Sequence, residues 1–416
     1  MTTFADLAGR RVGVWGVGVE GSATLRRLAA DGIEAAVVVE SGWSPDLLDC
    51  DVVVKSPGIS RRLPEAEALV AAGVELAGGL GLWLAGADRS RVLCVTGTKG
   101  KSTTTSIAGQ LARGLGASVG VGGNLGSAPW DPQTPAADWW VIETSSYQAT
   151  DIVLGPRVVA VTSLAQDHLT WHGGYDAYVR DKLSLATRPG VETVVIPAGD
   201  PELEAHAALL GGHVRRVPSE HPAWVGRLGL LGEHNRRNAL IARAALVALG
   251  VPGAEDDDAI AAATAGFEPL PSRLTLVATR GGVDFVDDGL STNVLAALAA
   301  LDAFPGRRVA LLVGGHDRGI DYTELGRGLA SRDADVHLFT MPAAGARIAA
   351  EVASVAPGVA ITQCDDLPSA VQAGAAWAAP GGVVLLSPAA PSFGAYRDYR
   401  HRGEHFAELA RGLGES

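Results

Sequence analysis

The chain has 416 residues, 47% of them hydrophobic and 19% charged, a balance that suits two or three folded domains and excludes wholesale disorder. A net charge of −12 excludes a general nucleic-acid binder, which needs a basic surface, but leaves room for a local anion site. Cys50, Cys94 and Cys364 are widely spaced and read as reduced, residues 1–10 lack a signal core, and no apolar run reaches about 18 residues, so a cytoplasmic monomer without a membrane span is expected.

Residues 11–15 read as a strand that enters Gly16-Val17-Gly18-Val19-Glu20-Gly21 and then a helical run over 22–30. This is G-x-G-x-x-G in a strand–turn–helix setting, which lets a pyrophosphate approach the backbone. On the residues alone the turn suits a dinucleotide, another nucleotide, or a purely structural turn. A second strand over 35–39 ends at Glu40, placed to accept from a ribose hydroxyl, and a third over 52–54 runs into Lys55-Ser56-Pro57-Gly58-Ile59. The Gly, Ala and Leu mixture over 78–87 closes a first domain, 1–87.

A second domain, 88–269, opens with a buried strand that leads into Thr96-Gly97-Thr98-Lys99-Gly100-Lys101-Ser102-Thr103, with helical spacing over 106–113. Glycines let backbone N–H groups reach a phosphate, Lys101 can meet a β- or γ-phosphate oxygen, and Ser102 or Thr103 can ligate Mg²⁺. The plainer reading is a Gly-rich turn with a surface lysine; strand, glycines, lysine, hydroxyls and helix in this order favour phosphate. Gly97 stands three residues before Gly100, so the loop is shorter than the common phosphate loop. A polar turn over 122–126 contains Asn124. The strand over 139–142 ends at Glu143, a carboxylate beside the phosphate loop and a candidate Mg²⁺ ligand. His168 follows the strand over 157–163 and, alone, reads more readily as structural. Lys182 lies in a helical stretch over 175–183. Asn235 and Asn238 open an apolar helix one turn apart and can face one ligand.

Two prolines over 267–273 mark the second boundary, and 270–416 alternates strands with helices in the rhythm of another doubly wound α/β domain. Polar loops over 287–289, 314–319 and 387–392 fall at predicted strand ends, where open α/β sheets bind ligands.

Together these motifs resemble the muramyl ligase family, ATP-dependent amino-acid-adding enzymes of peptidoglycan synthesis, and within it the members that add glutamate to UDP-N-acetylmuramoyl-L-alanine. The resemblance spans the chain from the first glycine turn to Arg402-Gly403-Glu404. It implies an α/β fold of three domains: a Rossmann-like domain for the UDP-linked substrate, a central ATPase domain and a C-terminal Rossmann-like domain that closes over ATP and glutamate. It implies that Val19, Glu20, Glu40, Ser41, Ser56, Gly58 and Asn124 line the UDP-substrate site, and that Gly97, Thr98, Lys99, Gly100, Lys101, Ser102, Thr103, Asn235, Asn238, Arg273 and Asp288 contact ATP. Mg²⁺ would fall to Ser102, Glu143, His168 and Lys182, the last carried as a carbamate. Lys101, His168 and Lys182 are the implied catalytic groups. Thr292, Arg318, Ser392 and Tyr399 would meet glutamate.

Three departures stand out. Lys99 replaces an Asn of the family loop, Leu290 replaces a lysine of the D-glutamate pattern, and Pro391 stiffens the loop that carries Ser392. The two pocket changes, at Leu290 and Pro391, favour the L-glutamate-adding branch over the D-glutamate-adding one. A nicotinamide-dependent oxidoreductase would explain the first glycine turn but leave the second loop idle. A folylpolyglutamate synthase would lack the first domain.

Overall fold

The computed structural model describes residues 2–332 and 335–414. The first sheet is four parallel strands, β1 (Val12–Trp15), β2 (Val37–Val39), β3 (Val52–Lys55) and β4 (Glu75–Gly78), in the order β2-β1-β3-β4. Every residue of β1 and β3 is buried, so these strands are apolar throughout apart from the terminal Lys55. At their carboxyl ends the Gly16 N–H donates to Val39 O (2.7 Å), Val17 N–H to Glu40 O (3.1 Å) and Ser56 N–H to Trp15 O (2.7 Å), which gathers three loops at one edge. The helix after the glycine turn begins at Val19, earlier than its apolar spacing suggests, because the turn supplies its first residues.

The second sheet is also all parallel: β5 (Val92–Thr96), β6 (Val119–Gly123), β7 (Trp139–Glu143), β8 (Val158–Val161), β9 (Thr193–Pro197) and β10 (His213–Val217), in the order β10-β9-β8-β5-β7-β6. Chain direction across the sheet reverses around β5, so the loops after β5, β7 and β8 meet at one crevice.

The third sheet has β11 (Thr275–Arg280), β12 (Val283–Asp287), β13 (Val309–Gly314), β14 (Val336–Met341), β15 (Ala360–Gln363) and β16 (Val383–Leu386), in the order β11-β12-β16-β13-β14-β15. Only β11 runs antiparallel to its neighbour. Helices cover both faces: Val309, Leu311 and Val313 join one apolar cluster, Ala310 and Leu312 the other, as the two-residue period of a strand requires.

Residues up to Leu228, with His234–Phe267, form one compact unit; Gly229–Glu233 and the residues from Glu268 form a second. Within the first unit two sheets share one core, in which Phe4, Val14 and Leu80 pack into the same cluster as Cys94, Trp130 and Ile142. Trp130, 1% exposed, donates from Nε1 to Thr24 Oγ1 of the first glycine-turn helix (3.2 Å). All three cysteines are free, and no helix among the described residues is long and apolar enough to cross a membrane.

A Cβ on Gly21 would lie 2.0 Å from the Gly16 carbonyl oxygen, so the helix can pack onto its own turn only with glycine there. Gly21→Ala is therefore expected to lower stability by about 3 kcal/mol, read as a fall in the urea midpoint; an unchanged midpoint would contradict this packing.

Candidate functional site

The loop after β5 is pinned from both sides. Gly97 (φ +138°) sits where a Cβ would lie 2.1 Å from Thr162 Oγ1, and Gly100 (φ +86°) where one would lie 2.5 Å from Asn238 Oδ1. Both positions demand glycine for conformation and for space. The Thr162 hydroxyl donates to the carbonyls of Lys99 (2.5 Å) and Thr96 (3.1 Å), and Ser163 Oγ accepts from Lys99 N–H (2.9 Å). Thr98 Oγ1 pairs with Tyr178 Oη (2.6 Å) and with the Ala165 backbone, so this hydroxyl braces the loop. The helix Lys101–Gly114 starts at the loop's end, where its N-terminal dipole and free N–H groups favour an anion. Ser102 and Thr103 occupy its first turn. Asn235 and Asn238 are buried beside the loop on the helix Glu233–Leu249, with Asn238 Nδ2 near Asn235 Oδ1 (3.4 Å).

Two lysines converge on one acceptor. Lys101 Nζ donates to Gly97 O (2.9 Å) and Thr98 O (3.2 Å), and Lys182 Nζ donates to the same Gly97 oxygen at 2.9 Å. Lys182 is 2% exposed and lies over the Tyr178 ring. Burial, and then the neighbouring Lys101 charge, hold its pKa well below the ordinary lysine range.

Glu143, 1% exposed, ends β7 next to this loop. Its Oε1 accepts from Asn124 Nδ2 (3.0 Å), while Oε2 is buried with no hydrogen-bond partner. An orphaned carboxylate oxygen at this depth is costly unless a cation meets it, so the residues fit a divalent ion. Among the described residues no cluster of three or more His, Cys, Asp or Glu side chains could hold a metal. Such an ion would therefore draw on donors other than these side chains as well. His168, exposed and at φ +51°, stacks near Tyr147 (5.1 Å between centroids). Partial burial of the ring lowers its pKa from the ordinary histidine value, with Asp167 opposing the shift.

The first glycine turn connects to this centre through named contacts. Trp171 Nε1 donates to Gly58 O (2.8 Å), and Tyr147 stacks on Trp171 (4.3 Å). Ser56 packs against Gly16, Val19 is 75% exposed, and Glu40 and Ser41 lie on the open loop after β2. Glu20 turns inward: its Oε1 accepts from Gln148 Nε2 (2.6 Å), and burial raises its pKa to about 7, with Asp151 adding to the rise and Lys55 opposing it. Sequence reasoning missed the supports around it. Lys55 is fully buried and paired with Asp151 (2.5 Å), which also binds Arg61 (2.6 Å). His172 bridges Asp181 (2.7 Å) and Ser146 (3.0 Å). The signal was present for Lys55, since a lysine ending an all-buried strand needs an anion.

In the second unit, Asp287 and Asp288 are buried at the end of β12. Asp288 accepts from Ser291 Oγ (2.5 Å), Ser387 Oγ (2.8 Å) and Leu274 N–H (3.2 Å), and burial raises its pKa to about 6. Arg273 lies between Ser272 (φ +57°) and Leu274 (φ +52°), a strained turn that Asp287 and Asp288 fasten through Ser272 Oγ and Leu274 N–H. Arg402, 2% exposed, donates to the carbonyls of Gly289 (2.9 Å) and Ala390 (3.2 Å) on two strand-end loops and of Gly314 (3.4 Å) at the end of β13. Thr292 and Arg318 are joined, the Thr292 carbonyl accepting from Arg318 Nη2 (3.0 Å); Ser392 is buried on the loop after β16, and Tyr399 begins the last helix, Tyr399–Gly412.

Residues 95–225 match the model of the Mur ligase middle domain, and 272–390 that of the Mur ligase, glutamate ligase domain. The chain is 40% identical to a UDP-N-acetylmuramoyl-L-alanine--L-glutamate ligase from a Micromonospora species, covering 98% of each. It is 41% identical to one of the same name from Xanthomonas euvesicatoria, over 98% of this chain and 96% of that one. Among solved structures, the UDP-N-acetylmuramate-alanine ligase of Thermotoga maritima shares the fold, with a TM-score of 0.59 at 19% identity over 97% of this chain and 99% of that one.

Because Glu20 binds its proton more tightly when folded, its contribution to stability is complete below the unfolded glutamate pKa and is lost as pH rises through about 7. Melting temperature should decline over that interval, and Glu20→Gln should flatten the decline; parallel profiles would refute the assignment. Arg402→Met, which strands three buried carbonyls, should destabilise the second unit by about 3 kcal/mol in urea unfolding.

Proposed function

The chain belongs to the Mur ligase family, ATP-dependent amide-forming ligases that include those of peptidoglycan synthesis, and we propose that it joins L-glutamate to UDP-N-acetylmuramoyl-L-alanine. The observation that carries this reading is the loop of residues 97–101 beside an unpartnered Glu143 oxygen and the buried Lys182. In this reading 1–87 binds the UDP moiety, 88–269 binds ATP, and 270–416 receives glutamate.

A carboxylate is a poor acyl donor. The alanyl carboxylate therefore attacks the γ-phosphorus of ATP, the bond to ADP breaks, and an acyl phosphate results. Lys101 leaves its loop carbonyls to meet the β- and γ-phosphate oxygens, and backbone N–H groups of the loop and the helix start hold the rest. Mg²⁺, held by Glu143, Ser102, His168 and Lys182, would neutralise phosphate charge. Lys182 serves there as a carbamate, formed when its uncharged amine adds to CO₂ with loss of one proton; its burial favours the uncharged amine. The amino group of glutamate then attacks the acyl carbon, loses a proton, and phosphate departs as the amide forms. In the first unit Asn235 and Asn238 are the proposed nucleotide contacts; in the second, Arg273 and Asp288 are the residues proposed to meet ATP, and Thr292, Arg318, Ser392 and Tyr399 those proposed to meet glutamate.

The choice of L-glutamate is supported by the names of the two relatives and by Leu290 and Pro391, which remove a cation from the D-glutamate pattern and stiffen the loop. Phosphate release with UDP-N-acetylmuramoyl-L-alanine and ATP should be at least about tenfold faster with L-glutamate than with D-glutamate, equivalent to about 1.4 kcal/mol of transition-state discrimination. Lys101→Ala should lower kcat by about 10²–10³-fold. Preference for D-glutamate would overturn the stereochemical part, and the absence of turnover with either would overturn the substrate assignment.

A further inference from the structure

The capping box at Ser145 joins two sites that lie on different sheets. Ser145 follows Glu143 by two residues and caps the short helix Ser146–Ala149: its Oγ accepts from Gln148 N–H (3.1 Å), and its own N–H donates to Gln148 Oε1 (2.7 Å). That leaves the Gln148 amide nitrogen pointing away from the cap, where Nε2 donates to Glu20 Oε1 at 2.6 Å. Gln148 is 3% exposed, so its amide has few alternative partners. Only one orientation of this amide satisfies both ends, since a flipped group would set a donor against the Ser145 N–H.

We propose that Glu20 is a positioning residue: by fixing the Gln148 amide it holds the Ser145 turn, and so ties the glycine turn of the first sheet to the carboxylate Glu143 of the second. Glu20 stands in the first turn of the helix Val19–Ala30, beside the turn read as the UDP site, so occupation of that site would be felt at the strand end that carries Glu143. The inference rests on that reading of both sites. The raised pKa of Glu20 agrees with a carboxyl turned into the protein toward Gln148, Asp151 and Lys55, away from a diphosphate that it would repel.

The test compares Glu20→Ala, Glu20→Gln and the exchanged pair Glu20→Gln with Gln148→Glu. The single Glu20→Gln variant keeps an oxygen acceptor for Gln148, whereas the exchanged pair reverses the donor and acceptor while still accepting from Ser145 N–H. Three quantities are read: amide exchange of residues 143–149 in the protein without ligands, Mn²⁺ binding in the presence of a non-hydrolysable ATP analogue, and binding of UDP alone. Glu20→Ala should speed exchange at least tenfold and weaken Mn²⁺ binding at least fivefold, and both other variants should restore the two values. Unchanged exchange and Mn²⁺ binding in Glu20→Ala would overturn the proposal, as would equal losses in Glu20→Ala and Glu20→Gln. Weaker UDP binding without faster exchange would also overturn it, by making Glu20 only a ligand contact. Absence of ligase turnover in the unaltered protein would defeat the functional reading, while exchange in the ligand-free protein would still decide the link.

Discussion

Two ammonium groups on one carbonyl oxygen set the terms for the central site. Lys101 and Lys182 both reach Gly97 O at 2.9 Å, and a second full positive charge there, buried, would be expensive. The conflict is relieved if Lys182 gives up its proton, which its burial favours, or if an anion joins the cluster. Both outcomes serve phosphate chemistry, because one supplies an uncharged amine and the other describes a triphosphate. The loop can impose this geometry because it is fastened elsewhere, with Thr162, Ser163 and Tyr178 gripping it from one side and Asn238 closing on Gly100 from the other.

Continuity between the first two sheets gives the site its second property. One core runs through both, and the buried pair Lys55–Asp151 crosses from the end of β3 to the segment after the Ser145 turn. A buried ion pair adds little net stability over apolar packing, but losing one partner leaves a charge stranded. It therefore punishes misplacement of β3 relative to that segment more than it stabilises the unit. Packing and polar pairing together leave the glycine turn of the first sheet little freedom relative to Glu143.

Much of this was legible in the residues. The glycine turns, the strand over 92–96, Glu143 at a strand end and the alternation after 270 follow from local periodicity and from residue types that tolerate few other settings. Strands β10, β11 and β15 were missed because they lie at sheet edges, where exposed polar residues such as Arg215, Thr279 and Gln363 erase the apolar pattern. β4 and β9 are strands of four and five residues, too short for their apolar runs to stand out, and β4 is set in Gly-rich sequence. Pairings distant in sequence, such as His172 with Ser146 or Glu20 with Gln148, depend on tertiary contact and leave no local signature.

The second unit shows how one cation can stand in for many local contacts. The ends of β12, β13 and β16 lie side by side, and Arg402 reaches from the last helix to the carbonyls of Gly289 after β12, Gly314 at the end of β13 and Ala390 after β16. A guanidinium suits this task because its donors diverge in a plane, whereas a lysine would offer its donors from a single point. Asp287 and Asp288 complete the arrangement by drawing Ser272, Leu274, Ser291 and Ser387 toward the end of β12. The loops that carry Thr292, Arg318 and Ser392 are thus fixed by buried polar groups beneath them. Leu290 and Pro391 can then shape what the loops present without releasing the loops themselves, because the buried groups that hold the loops lie elsewhere.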